Sequence, residues 1–316
     1  MWQPSTVPPC SHTRGCLRAS RHISTVAAAL LAAFASACGP RKLVVVDPDP
    51  CFDGGTGPSC PVVCTDGGVA ISGVSGCVPL ALLDGLVGYW RLDDAAGSAT
   101  AIDFTGRNDG TLMDLLPGSP WTSGRSAGGL NIAGNGYVEV MPSASLDSII
   151  DQVTIMGWGY LSATGTIDDY ATIASREEAT TIDQHYHISI NSRGETPTLF
   201  IKTENAAPIL SGPMAVTRQT WVHIAGTYDG TAARLYVDGQ LVNTMPVTGR
   251  FVADDTPFIL GANGNGPATG VTERFPGKID EIMLYRRALS APEIAQLHDG
   301  ALFTSPVVGQ DAGARD

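Results

Sequence analysis

The residues with most chemical potential lie in GKIDEIMLYRRALSAPEIAQLHDG, Gly277 to Gly300. Asp280 and Glu281 are adjacent there, inside an apolar run. Two carboxylates can act as acid and nucleophile of a glycosidase only if they flank the same scissile bond. Side chains alternate along a strand, so neighbours point to opposite faces and form no dyad. Glu177 and Glu178 in SREEAT are adjacent in the same way. Gly124-Arg125-Ser126-Ala127-Gly128 fits the G-x-S-x-G of a nucleophile elbow, which needs a strand before it and a helix after it. Here a Pro/Gly-rich loop precedes and GGLNIAG follows, which reads as a strand, so Ser126 is not expected to be a nucleophile. His185 and His187 in HYHISI are two apart and share a face, opposite Tyr186, Ile188 and Ile190. Two imidazoles so placed can bind zinc if a third ligand joins them; a polar, solvent-facing stripe is the plainer reading.

The elements that must position these groups are mostly short strands. Between Leu86 and Phe275 apolar runs such as GLVGYWRL, VTIMGWGYL, HYHISI, WVHIAGTY and ARLYVDG are separated by Gly, Asn, Asp and Pro turns. In ARLYVDG, Leu235 and Val237 face one way and Arg234 and Tyr236 the other, and Asp238-Gly239 marks a hairpin. The predicted helix covers Ala291 to His298. Ser290 is its N-cap, Pro292 lies in the first turn, Glu293 stands three residues after the cap and Gly300 ends it. Many short strands without intervening helices imply an all-β sandwich or barrel. Ile279 does not share strand parity with Ile282 and Leu284, which implies a strand buried on both faces or a bulge near Asp280 and Glu281.

Four blocks occur in order: LVGYWRLDDAAGSATAIDFTGRNDGTL, GGLNIAGNGYVEV, WVHIAGTYDGTAARLYVDGQLV and GKIDEIMLYRRALSAPEIAQLHDG. Together they resemble the laminin-G-like domains of the concanavalin A-like lectin/glucanase superfamily, across about residues 86–300. The resemblance implies a jelly-roll sandwich of two antiparallel sheets with adjacent first and last strands. It implies carbohydrate or protein as ligand and, in many members, a calcium ion at the rim. Glucanases of the superfamily carry a Glu-x-Asp-x-(x)-Glu run on one strand. None occurs here, so a non-enzymatic module is expected and a divergent glycoside hydrolase is the weaker alternative. Calcium takes six to eight oxygens, carboxylates and carbonyls among them. The loop DFTGRNDG supplies Asp103 and Asn108, with Thr105 and Arg107 departing from the family's Asp-x-Ser-Gly-Asn turn. With Asp93 and Asp280, they form the expected metal set. Trp90, Trp158 and Trp221 are expected in the core. His185, His187, Tyr160 and Tyr170 are the expected ligand contacts.

The first residues read as an export signal. RASRHISTVAAALLAAFASAC has a basic stretch, a short apolar run and then small residues. Ala35-Ser36-Ala37-Cys38 resembles a lipobox, with alanine where leucine is usual, so Cys38 is expected to be lipidated. Residues 1–37 are then the signal peptide, 38–50 a lipid-anchored tether, 51–79 a Cys-rich segment, 80–301 the sandwich and 302–316 a disordered tail. Cys51, Cys60, Cys64 and Cys77 form two disulfides in an oxidising compartment, with three possible pairings. A net charge of −12 disfavours nucleic acid. The expectation is an outer-membrane or cell-surface lipoprotein, otherwise a secreted one, touching the membrane through its lipid alone and recognising a glycan or a surface protein. A structural or adhesive envelope component is the alternative.

Overall fold

The computed structural model describes residues 69–70, 77–115, 120–132, 134, 136–177, 184–251, 256–264 and 271–302. The signal segment, the lipobox with Cys38, and Cys51, Cys60 and Cys64 lie outside these residues. Cys77 is described only as backbone. Among the described residues no helix is long and apolar enough to cross a membrane.

A two-stranded ribbon, β1 (Val69–Ala70) and β2 (Cys77–Val78), leads into a one-turn helix α1 (Leu80–Leu83). The sandwich follows, beginning with β3 (Leu86–Trp90), β4 (Thr100–Ala101), β5 (Gly110–Met113), β6 (Trp121–Ser126), β7 (Gly128–Ile132) and β8 (Tyr137–Val140). The long strands β9 (Val153–Leu161), β10 (Tyr170–Glu177) and β11 (Gln184–Asn191) precede β12 (Pro197–Ile201) and β13 (Ile209–Ser211). Then come β14 (Trp221–Tyr228), β15 (Ala232–Val237), β16 (Gln240–Pro246), β17 (Phe258–Leu260) and the small pair β18 (Asn263–Gly264) and β19 (Val271–Thr272). β20 (Gly277–Tyr285) and α2 (Ala291–His298) close the fold. One sheet has the order β13-β12-β11-β10-β17-β8-β5-β4; the other runs β16-β15-β14-β9-β20-β7-β6, with β3 also on β20. All pairings are antiparallel, and the first sandwich strand lies beside the last, as the resemblance implied.

Alternation explains the core. In β11, Tyr186, Ile188 and Ile190 enter it, and they meet Leu199 and Ile201 of β12, Ile155 of β9, Ile224 of β14 and Leu235 of β15. Trp90 stacks on Phe258 of the opposite sheet, with ring centroids 5.3 Å apart. Each such side chain contributes roughly 1.5–3 kcal/mol by leaving water. The sheets approach closely because Gly226 has no side chain: a Cβ there would lie 2.2 Å from Leu199 Cδ1.

β20 contains the bulge. Its register on β9 shifts between Asp280 and Met283, and Glu281 has φ of 52°. The extra residue restores Ile282 and Leu284 to the core alongside Ile279. It also overturns the alternation argument for the acids. Asp280 stands opposite Trp158, Glu281 receives the Tyr89 hydroxyl, and Tyr89 stands opposite Met283. Both carboxyls therefore lie on the outer side of the sheet.

α2 begins as predicted. The Ser290 N–H and hydroxyl donate to Glu293 Oε2 at 2.8 and 2.7 Å. It buries Ile294 and Leu297. Its end reaches over the outer face of the β20 sheet, where His298 stacks on Trp158 at 5.2 Å. Trp158, expected in the core, is instead buried on this outer face, between His298 and the Arg125 guanidinium 4.5 Å from its ring. Trp221 is half-buried on the same face.

Candidate functional site

Asp280 is held by backbone. Its Oδ2 accepts from the N–H groups of Arg125 (2.7 Å) and Ser126 (3.1 Å), and its Oδ1 from Glu281 N–H (2.9 Å). The G-x-S-x-G segment is the β6–β7 turn, clamped by this carboxylate and followed by a strand, as read from the sequence. Asp93 supports the same turn: Oδ1 accepts from Gly128 N–H at 2.6 Å and Oδ2 pairs with Arg91 at 2.9 Å. Asp103 is wholly buried and organises its own loop. Its Oδ1 accepts from Tyr89 and Thr105 N–H, and its Oδ2 from the Thr105 hydroxyl and the Arg107 and Asn108 N–H groups. Asn108 donates to the Val87 carbonyl and accepts from the hydroxyls of Ser143 and Ser145.

The four residues expected to hold calcium do not fit a cage. Their oxygens are turned onto the protein's own donors, Asp103 and Asn108 in one loop, Asp93 and Asp280 at the β6–β7 turn. Among the described residues no three His, Cys, Asp or Glu side chains are placed to hold a metal ion. Burial pushes the Asp280 carboxyl well above its ordinary range against the pull of its N–H donors. Burial, and then the neighbouring Asp280 charge, push Glu281 up as well. Glu281 Oε1 has no hydrogen-bond partner, so we place the pair's shared proton on Glu281.

The four expected ligand contacts divide between the two sheets. On the outer face of the β11 sheet, His187 stacks on Phe200 at 5.2 Å and lies 5.7 Å from Tyr170. The histidines are not the exposed stripe that was expected: His187 is 3% and His185 7% exposed. Burial lowers His187 to about 3, so it is a neutral ring at physiological pH. Tyr170 and Phe200, on either side of it, are half-buried and form the accessible part. Glu273 and Asn263 lie beyond β10, joined by a 2.8 Å bond, and the Glu273 backbone carbonyl accepts from Thr172 N–H at 3.0 Å. Burial raises both Glu273 and the Tyr170 hydroxyl, the latter also through the Glu273 charge. Sequence reading missed Phe200; its register opposite His187 in TLFIKT was the available signal.

Tyr160 is on the other sheet. It pairs across strands with Trp221 on one side and Lys278 on the other. The Tyr160 and Trp221 rings are 5.4 Å apart, and Lys278 Nζ is 5.5 Å from the Tyr160 ring centre. Trp221 also walls a groove of about 350 Å³ shared with Thr217, Thr220, Val237, Asp238 and Met214.

Residues 133–295 match the profile of the concanavalin A-like lectin/glucanases superfamily. The chain belongs to this superfamily. Its fold is shared with solved structures of low identity. Domain 4 of AbnA, a GH43 extracellular arabinanase from Geobacillus stearothermophilus, in complex with arabinotriose, has a TM-score of 0.50 and 19% identity over 67% of this chain and 98% of its own. The binding domain of Paraclostridial Mosquitocidal Protein 1 has a TM-score of 0.52 and 16% identity over 69% of this chain and 52% of its own. A Trypanosoma rangeli sialidase has a TM-score of 0.52 and 17% identity, over 72% of this chain but only 35% of its own. No curated protein matches the chain. At these identities the likeness shows a concanavalin A-like sandwich, and function has to be argued from the surfaces.

Proposed function

We propose that this concanavalin A-like chain is an exported, lipid-anchored recognition module of the cell envelope that binds carbohydrate without transforming it. One observation carries the reading: Tyr170 and Phe200, both half-buried, flank the uncharged and buried His187 ring and form the accessible ends of an aromatic strip. Sugar rings stack their C–H faces on such rings, and the half-buried Glu273 carboxylate beyond β10, held by Asn263, offers a polar partner for hydroxyls. The arabinotriose bound to the arabinanase domain makes the same class of ligand a reasonable first probe. The burial of Asp280 and Glu281, 0% and 1% exposed, supports binding without transformation in this reading, because it keeps this acid pair from a substrate. The anchor rests on Ala35-Ser36-Ala37-Cys38, and mass spectrometry of the mature protein for an acylated Cys38 tests it.

The test of recognition is a glycan array, including arabino-oligosaccharides, probed with the purified chain. At least one glycan should bind, and Tyr170→Ala with Phe200→Ala should weaken it by about tenfold or more at unchanged melting temperature. Uniformly blank arrays would overturn the reading and favour an adhesive or structural envelope component.

A further inference from the structure

We propose that the outer face of the β20 sheet is a separate binding site for an acidic oligosaccharide. Its sugar rings stack on Tyr160 and Trp221, and a carboxylate meets Lys278. The cross-strand register builds the platform. Asn131 of β7 pairs with Lys278 of β20, Lys278 with Tyr160 of β9, and Tyr160 with Trp221 of β14. An amide, an ammonium, a phenol and an indole thus stand in one row over four adjacent strands. Strand spacing makes the row about 14 Å long, enough for a short oligosaccharide. Trp221 also borders a groove of about 350 Å³ at the sandwich edge, lined by Thr217, Thr220 and Asp238 together with Val222 and with Pro197 of the other sheet. That volume falls within the range of small-ligand pockets.

Charge decides the class of sugar. Arg91, Arg176, Arg218, Arg234, Arg250 and Arg287 are each tied to a carboxylate. Among the described residues Lys278 makes no ion pair; its ammonium donates to the Ser123 carbonyl at 3.3 Å and rests over the Tyr160 ring. Arg125 behaves alike, with its guanidinium over Trp158 two residues along the same strand. In a chain of net charge −12, two cations set over neighbouring aromatics on one face are complementary to an anionic ligand. The ammonium lies over the Tyr160 ring, which neighbours the Trp221 indole in the row, so a uronic acid stacked along this row can present its carboxylate to Lys278.

The site shares the carbohydrate class proposed above but does not depend on the Tyr170 surface, and its test separates the two. Trigalacturonate and neutral arabinotriose are titrated calorimetrically into the full chain and its variants. The acidic trimer should bind about tenfold more tightly at low salt, an advantage that shrinks as salt screens the exposed charge. Lys278→Met should remove the advantage and Lys278→Arg keep most of it. Trp221→Ala should weaken trigalacturonate about tenfold while Tyr170→Ala leaves it unchanged. Equal affinity for the two trimers would overturn the proposal. So would trigalacturonate binding that ignores Lys278→Met and Trp221→Ala, or that is lost in Tyr170→Ala instead, an outcome that would leave the Tyr170 reading standing.

Discussion

Replacing Glu281 by glutamine should make the protein more stable than its parent as pH rises. Burial and the adjacent Asp280 charge hold the Glu281 carboxyl well above its usual range. The folded state therefore keeps a proton that the unfolded chain releases near pH 4.3. The stability this preference gives is fully present below that unfolded value. It is lost as pH rises toward the folded value, by about 1.4 kcal/mol per pH unit. Glu281→Gln keeps an acceptor for the Tyr89 hydroxyl but does not titrate, so it escapes the loss. Because Asp280 and Glu281 repel each other, the difference between variant and parent reads the proton the pair shares. A domain of this size shifts roughly 2–4 °C per kcal/mol, so the gap in melting temperature should widen by about 3–6 °C per pH unit above the unfolded value and level off once the folded carboxyl ionises. Thermal melts of both proteins from pH 4 to 8 measure this directly. A gap that stays flat across that range would mean Glu281 is ionised in the fold, and the assignment of the proton would be wrong.

Two further substitutions probe the supports of the surfaces. Gly124→Ala puts a Cβ 1.6 Å from the Gly128 carbonyl oxygen and 2.4 Å from Asp280 Oδ2. Neither is a flexible chain end, so a loss of roughly 3 kcal/mol or more is expected in chemical denaturation; a near-neutral result would refute the tight turn. Ser290→Ala removes one bond of the α2 capping box and should lower stability by about 1 kcal/mol. An unchanged denaturation midpoint would show that α2 is held by Ile294, Leu297 and His298 alone.

The fold was legible because it rests on repeated, local signals. Strand alternation, the Asp238-Gly239 turn and the Ser290 cap are each written in a few neighbouring residues. The parity break between Ile279 and Ile282 even marked the bulge. What that bulge does to Asp280 and Glu281 was not legible, because alternation holds only while the ladder stays in register. The roles of Asp103 and Asn108 were also hidden. A carboxylate in a glycine-containing loop reads the same whether it faces a metal or five of its own chain's donors, and only the third dimension distinguishes them. The tryptophans misled for a related reason. Trp158 is buried as expected, yet on the outer face, where Arg125 and His298 cover it. Composition reports burial, and it does not report which side of a sheet is covered.

The bulge links these corrections to the surface. By adding one residue to β20 after Asp280 it leaves Glu281 on the same outer side as Asp280, whose carboxylate collects the N–H groups of Arg125 and Ser126 and fixes the β6–β7 turn. The fixed turn sets the Arg125 guanidinium over Trp158, and His298 of α2 closes the other side of the indole. β9 is thereby clamped through Trp158, two residues from Tyr160. Before the bulge, β20 keeps simple register and presents Lys278 beside Tyr160. Asp280 and Glu281 thus serve as hydrogen-bond anchors behind a face of aromatic and cationic side chains. A preorganised face loses less conformational entropy when a flexible sugar binds, which is where a rigid sandwich has its advantage as a recognition module.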